Sequence, residues 1–264
     1  MNKQLEGRMQ VAMVWAAVAN TVPAAFWTLY FCLRADGVLE SLRDELNKAA
    51  TVADPAKDLT KFLTQLPLLD SCISEALRIA SGSLALRMVT RDTTLKTEAG
   101  AEFSLRRGAR LMFCPSQLHY CEEVHRNADV FQHDRFIEST KASATKDETD
   151  ADDATGTTNA NANANANASV SGNGYALRGK KLKNALMPFG GGITMCPGKT
   201  FARAEIKSFV AQMLFNFDLR LLDAANDAAG PEASDFPGYF PGRAGLGIYP
   251  PGKAVRFELN RREA

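Results

Sequence analysis

Residues 11–33, VAMVWAAVANTVPAAFWTLYFCL, carry no charged side chain. A run of this kind has two solutions: a helix across a bilayer, or a long helix through a protein core. Asn20, Thr21 and Pro23 sit together at its middle. Polar atoms there are costly in lipid and useful beside an internal cavity. On the residues alone the two readings stand level. Apolar spacing extends the helix over about residues 5–49, with an amphipathic, solvated tail, LESLRDELNKAA. Pro23 predicts a kink, because a proline inside a helix removes one hydrogen bond and pushes away the carbonyl four residues back, here that of Ala19. The preceding MNKQLEGRMQ is polar and has no signal-peptide core.

The 264 residues are 45% hydrophobic and carry a net charge of +1, which suits one globular domain or two small ones. This balance argues against nucleic acid as a partner. The five cysteines, Cys32, Cys72, Cys114, Cys121 and Cys196, show no metal-ligand spacing and are odd in number, against a disulfide framework or a structural zinc. A reducing compartment follows.

The segment 66–82, LPLLDSCISEALRIASG, reads as a helix. Leu69, Ile73, Ala76, Leu77 and Ala80 recur at helical spacing, with Asp70 as a cap and Gly82 as a stop. Residues 84–113 read as glycine-punctuated hairpins. Residues 139–174 contain five Asn-Ala repeats and no apolar residue larger than valine. Such a stretch cannot bury enough surface to offset its chain entropy, so it is a disordered insertion within one domain. Near the C-terminus, AVRFEL alternates like a strand, with Val255, Phe257 and Leu259 on one face and Arg256 and Glu258 on the other.

The remaining feature is MPFGGGITMCPGKTFA, residues 187–202. Pro197 is pre-organised for a first helical turn, which predicts Cys196 at the N-cap of a helix over about residues 197–217. Free N–H groups there favour a thiolate. Ala202, Ile206, Phe209, Val210, Met213 and Phe217 would form the helix's core face. Gly190, Gly191, Gly192 and Gly198 let backbone lie against a flat ligand. Three readings compete: an axial haem ligand, a nucleophile served by His119, His125 or His133, and a buried structural cysteine.

FGGGITMCPG resembles the F-x-x-G-x-x-x-C-x-G haem loop of the cytochrome P450 family, with Phe189, Gly192, Cys196 and Gly198 at its fixed positions. The resemblance makes Cys196 the axial iron ligand of haem b. E-x-x-R occurs four times, but only Glu75–Arg78 lies on a helix upstream of strands and this loop, as in the family's helix K. Arg135, in FQHDRF, resembles the family's third network member, and the three imply a buried structural charge network. Arg87 matches a position that holds a haem propionate in relatives. AAVANT, residues 16–21, resembles the oxygen groove of helix I. Ala19 stands at the usual acid, Asn20 at the usual threonine, and Thr21 follows. Asparagine can donate a hydrogen bond to dioxygen but cannot shuttle a proton as an acid does.

The resemblance implies a mainly α fold with small β-sheets: the C-terminal half of the P450 fold, helices I to L, meander and haem loop. Residues 1–264 would be a partial P450 domain. Trp15 to Trp27 is similar to the branch containing sterol and oxysterol 7α-hydroxylases, sterol 12α-hydroxylase and prostacyclin synthase. That branch implies a monooxygenase that hydroxylates a sterol-like lipid, using dioxygen and electrons from NADPH-cytochrome P450 reductase. Arg178, Lys180, Lys181 and Lys183 form a basic run for such docking, or a solvated loop end. The alternatives are an isomerase of a lipid endoperoxide and a truncated, non-catalytic fragment. For the whole protein the implied location is the cytoplasmic face of the endoplasmic reticulum membrane, with no anchor expected in this chain. Ile248, in GLGIYPP, is a candidate pocket or core residue.

Overall fold

The computed structural model describes residues 3–97, 99–137, 176–177, 180–182, 184–222 and 236–262. The expected insertion at 139–174 lies outside the described residues, as do Arg178 and Lys183 of the basic run.

The uncharged run divides into two helices with different surroundings. The first, α1 (Lys3–Ala19), buries no residue, and Trp15 is 58% exposed. The second, α2 (Thr21–Arg34), runs through the core, where Trp27 is 0% exposed. By length and composition the combined stretch Lys3–Arg34 could cross a membrane, but its second half is packed inside protein. The break falls at Asn20 rather than at Pro23. Pro23 sits in the first turn of α2, where its missing N–H breaks no intrahelical bond, so the interruption moves upstream.

A second break, at residues 35–37, ends what the sequence reads as one continuous helix. Gly37 adopts φ 72° and starts α3 (Val38–Val52), whose Val38, Leu42, Leu46 and Ala49 are buried. Then come α4 (Leu59–Thr64), capped by Asp58, and α5 (Pro67–Ala80). The α5 cap is not Asp70. Glu45 of α3 accepts from the N–H groups of Leu68 and Leu69, at 2.6 and 3.0 Å. Asp70 instead pairs with Lys207 Nζ, 2.6 Å away on α7 (Lys199–Asn216). Helices α2, α5 and α7 share one apolar core, including Trp27, Leu69, Ile73, Leu77, Val210 and Leu214. On α7 the buried face carries Ile206, Val210 and Leu214, while Phe209 is half exposed.

The sheets are small antiparallel pairs, as expected. Strand β1 (Ala85–Met88) pairs with β4 (Arg110–Phe113). Strand β2 (Thr93–Lys96) pairs with β3 (Glu102–Leu105). Strand β4 leads into the short α6 (Ser116–His119). Strand β5 (Ala176–Leu177) pairs with β6 (Lys180–Lys181), and β7 (Phe217–Leu222) with β8 (Arg256–Arg261). The β7–β8 ribbon lies beside α2, where Phe257 meets Phe26 edge to face at 6.1 Å between ring centres.

Candidate functional site

The site rests on a charge network beneath α5. Glu75 and Arg78 share one helical face and have no exposed side-chain surface. The Glu75 carboxylate accepts from Arg78 Nε and Nη2, both at 2.8 Å, from Arg135 Nε at 2.9 Å and from Gln132 N at 3.1 Å. This is the arrangement expected of Glu75, Arg78 and Arg135. Further guanidinium hydrogens go to carbonyls: Arg78 reaches that of His119, and Arg135 those of Arg126, Asn127 and Val130. The one carboxylate is shared by two guanidinium groups, and backbone carbonyls take up part of the excess positive charge.

The network reaches the cysteine loop through His119. Its Nε2 accepts from the Met187 N–H at 3.0 Å, so the ring proton sits on Nδ1. Near it, His125 Nε2 lies 3.3 Å from the Ala185 carbonyl. Burial pushes both histidines down to about 4, with His125 and Arg78 adding to the effect on His119. The sequence offers these histidines only as possible bases; they serve instead to anchor the irregular segment entering the loop. Nothing in their spacing signals it, because the partners lie 68 and 60 residues away.

Beyond Met187 the chain turns sharply, with Gly190 at φ 72° and Gly192 at φ 62°. The Cys196 N–H returns to the Phe189 carbonyl at 2.9 Å and closes the loop. Phe189 packs against the core and roots it. Helix α7 starts at Lys199 with Gly198 as N-cap, so Cys196 stands two residues before the cap rather than on it. Pro197 shapes the turn outside the helix. Cys196 is exposed, and the neighbouring Ile193 is 99% exposed. Arg87, on β1, donates to Thr194 Oγ1 at 2.6 Å and so stands at the loop's edge.

A second constellation forms at the α1–α2 break. The Ala19 carbonyl, freed by Pro23, accepts from Arg243 Nη1. Asn20 Oδ1 accepts from Ile248 N at 3.1 Å and from Arg243 Nη2 at 3.3 Å. Thr21 Oγ1 donates to the Ala17 carbonyl one turn back, and the residue is buried. Ile248 is itself a core residue. Arg243 is absent from the sequence-level candidates because its partners lie more than two hundred positions away.

Comparison with known proteins decides what this arrangement belongs to. The family model for cytochrome P450 matches residues 8–232. The chain belongs to the cytochrome P450 family. It is similar to cholesterol 7-alpha-monooxygenase of Cricetulus griseus, at 31% identity over 96% of this chain and 44% of that protein. It is 30% identical to 7-alpha-hydroxycholest-4-en-3-one 12-alpha-hydroxylase of Homo sapiens, over 96% of this chain and 44% of the relative. Prostacyclin synthase of Bos taurus is 32% identical over 95% and 44%. Among solved structures, retinoic-acid-bound cyanobacterial CYP120A1 aligns with TM-score 0.63 and 19% identity over 96% of this chain and 45% of its own, which supports the fold alone. The P450 chain thus spans less than half the length of the curated relatives it matches.

The residues present fit the haem that the family uses. A thiol donor stands exposed at the loop end, and a Cβ on Gly192 would meet nothing within 4 Å, so the backbone there is open to a flat group. Apolar Ile193 and Met195 are exposed beside it, a surface suited to a porphyrin face. Cys196 would be the iron ligand, and Arg87, whose guanidinium is exposed at the loop's edge, would be the residue to hold a propionate.

Proposed function

We propose that this chain forms the haem-binding part of a monooxygenase that hydroxylates a sterol-like lipid, using dioxygen and reductase-supplied electrons. The observation that carries the reading is the closed loop from Phe189 to Cys196, anchored through His119 to the Glu75 network. Haem, when bound, supplies the redox chemistry that activates dioxygen and inserts one oxygen atom into a C–H bond.

The chain's own residues divide the remaining work. Cys196 supplies a thiolate ligand from the edge of the loop, with Phe189, Gly192 and Gly198 shaping its surroundings. Arg87 holds an anionic carboxylate of the cofactor. Asn20 offers a hydrogen-bond donor in the groove. Thr21 spends its proton on the Ala17 carbonyl and can act there only as an acceptor. Ala19 provides no acid, so protons must reach the groove by water. Lys180 and Lys181, with Arg178 and Lys183, form a basic docking run for the reductase, and the whole protein works at the endoplasmic reticulum membrane.

The missing acid also favours a second reading, an isomerase of a lipid endoperoxide, which needs neither reductant nor dioxygen. The test is to reconstitute the chain with haem, reduce it and add carbon monoxide. A thiolate-type Soret band that disappears in Cys196→Ser is expected; no band would overturn the haem site. NADPH and oxygen consumption with a sterol and reductase then supports hydroxylation. Turnover of an endoperoxide without either supports the isomerase.

A further inference from the structure

Asparagine side chains have two faces that are nearly alike in shape and opposite in hydrogen bonding. Which face Asn20 turns into the groove is therefore a chemical choice, and the surrounding residues make it. Two donors converge on Oδ1: the backbone N–H of Ile248 and Nη2 of Arg243. Neither could accept a proton from Nδ2, so a flipped amide would lose both bonds and oppose donor to donor. Nδ2 has no partner among the described residues and remains the free edge.

Both donors come from one strap, residues 241–251, that is itself held fast. Gly82 N donates to the Gly247 carbonyl at 2.8 Å, Gly245 N to the Gly82 carbonyl at 2.9 Å, and Tyr249 N to the Ala80 carbonyl at 3.0 Å. On the opposite side Trp27 Nε1 donates to the Tyr249 carbonyl at 2.5 Å. Gly247 adopts φ +116°, and a Cβ on it would lie 2.3 Å from Asn20 Oδ1. The bare backbone lets the amide lie flat against the strap. Arg243 also takes the Ala19 carbonyl and so binds both sides of the helix break.

We infer that Arg243 is a positioning residue, which fixes the Asn20 amide with Oδ1 on the strap and presents Nδ2–H as a donor to the ligand in the groove. This rests on the haem-site reading for the ligand's identity, but the orientation itself does not. Asn20 is then donor-only toward a ligand, an orientation set by Arg243 and the Ile248 N–H.

The full chain, labelled with 15N-asparagine, tests this without haem. Asn20→Asp keeps an acceptor for Arg243 and Ile248, loses the donor, and assigns the Asn20 side-chain NH2 signal by its disappearance. One NH2 signal is expected in the unchanged protein. Arg243→Met should give two signals or a broadened one, and speed exchange of the Ile248 amide by about tenfold or more. Asn20→Asp should leave that exchange within about twofold. Arg243→Lys, which restores one donor, should recover a single signal. In the haem- and carbon monoxide-loaded chain, Asn20→Asp and Arg243→Met should both shift the C–O stretching band while Cys196 ligation is retained. An Arg243→Met protein with one sharp NH2 signal and unchanged Ile248 exchange would overturn the inference. A chain without a thiolate-type Soret band but with the expected NH2 pattern would overturn the haem reading and leave Arg243's role standing.

Discussion

Glu75→Gln is the sharpest test of how the fold supports the loop. The substitution keeps shape and removes one charge from a carboxylate that four donors share. The two arginines do not suffer equally. Arg135 retains three backbone carbonyls, whereas Arg78, with no exposed side-chain surface, retains among the described residues one carbonyl, that of His119, and the face of the Tyr120 ring at 5.8 Å. The loss is thus one stranded guanidinium, for which breaking a buried pair costs about 3–5 kcal/mol. Against a total stability of about 5–15 kcal/mol, that is a large fraction. The assay is equilibrium unfolding in urea, read as a lower midpoint with unchanged slope. A companion, Glu75→Leu with Arg78→Met, removes the stranded charge along with its partner and should recover much of the loss. A Glu75→Gln protein within about 1 kcal/mol of the parent would refute the reasoning. So would a double variant as unstable as Glu75→Gln, since the cost would then not be the buried charge.

Acid should loosen the same region. His119 and His125 are held down to about 4 in the fold but take up protons near 6.5 when unfolded, so their contribution is complete above pH 6.5 and is lost as pH falls toward 4. Each is worth at most about 3 kcal/mol, and the pair less than the sum because the two rings interact. Urea midpoints at pH 7.5 and 4.5 check this, and a midpoint that rises on acidification refutes it. Gly82→Ala should destabilise the protein by about 1–3 kcal/mol through overpacking. Its new Cβ would lie 2.1 Å from the Tyr249 ring, which already packs against Tyr239. An unchanged melting temperature counts against that crowding.

Local chemistry made much of this legible in the sequence. Glu75 and Arg78 were legible not from their own spacing, which occurs four times in the chain, but from their place on a helix upstream of the strands and the glycine–cysteine loop, as the family resemblance implies. Glycine announced the β2–β3 hairpin around Gly100, but the stretch after Gly108 does not fold back on β3: as β4 it pairs with β1, more than twenty positions away. The glycine–cysteine loop was legible because its positive-φ turns at Gly190 and Gly192 demand glycine. Errors arose wherever a distant partner decided the outcome. Asp70 reads as a cap, but Glu45 on another helix takes that role and frees Asp70 for Lys207. The helix break reads as Pro23, but falls where the strap offers partners for Ala19 and Asn20. His119 carries no pattern that points to Met187. Such pairings depend on tertiary approach, which local periodicity does not encode.

The strap also sets a timetable. Asn20 receives the Ile248 N–H across 228 positions, and the Ala19 carbonyl receives Arg243 across 224. A ribosome adding about 5–20 residues per second takes on the order of ten to fifty seconds to cover that span. Throughout that interval the junction between α1 and α2 has neither partner, and α2 lacks the Tyr249 carbonyl that satisfies Trp27. This part of the core is therefore completed only by residues made more than two hundred positions later. A chain that stops short of residue 243 would lose the partners of that helix junction as well as β8, which begins at Arg256.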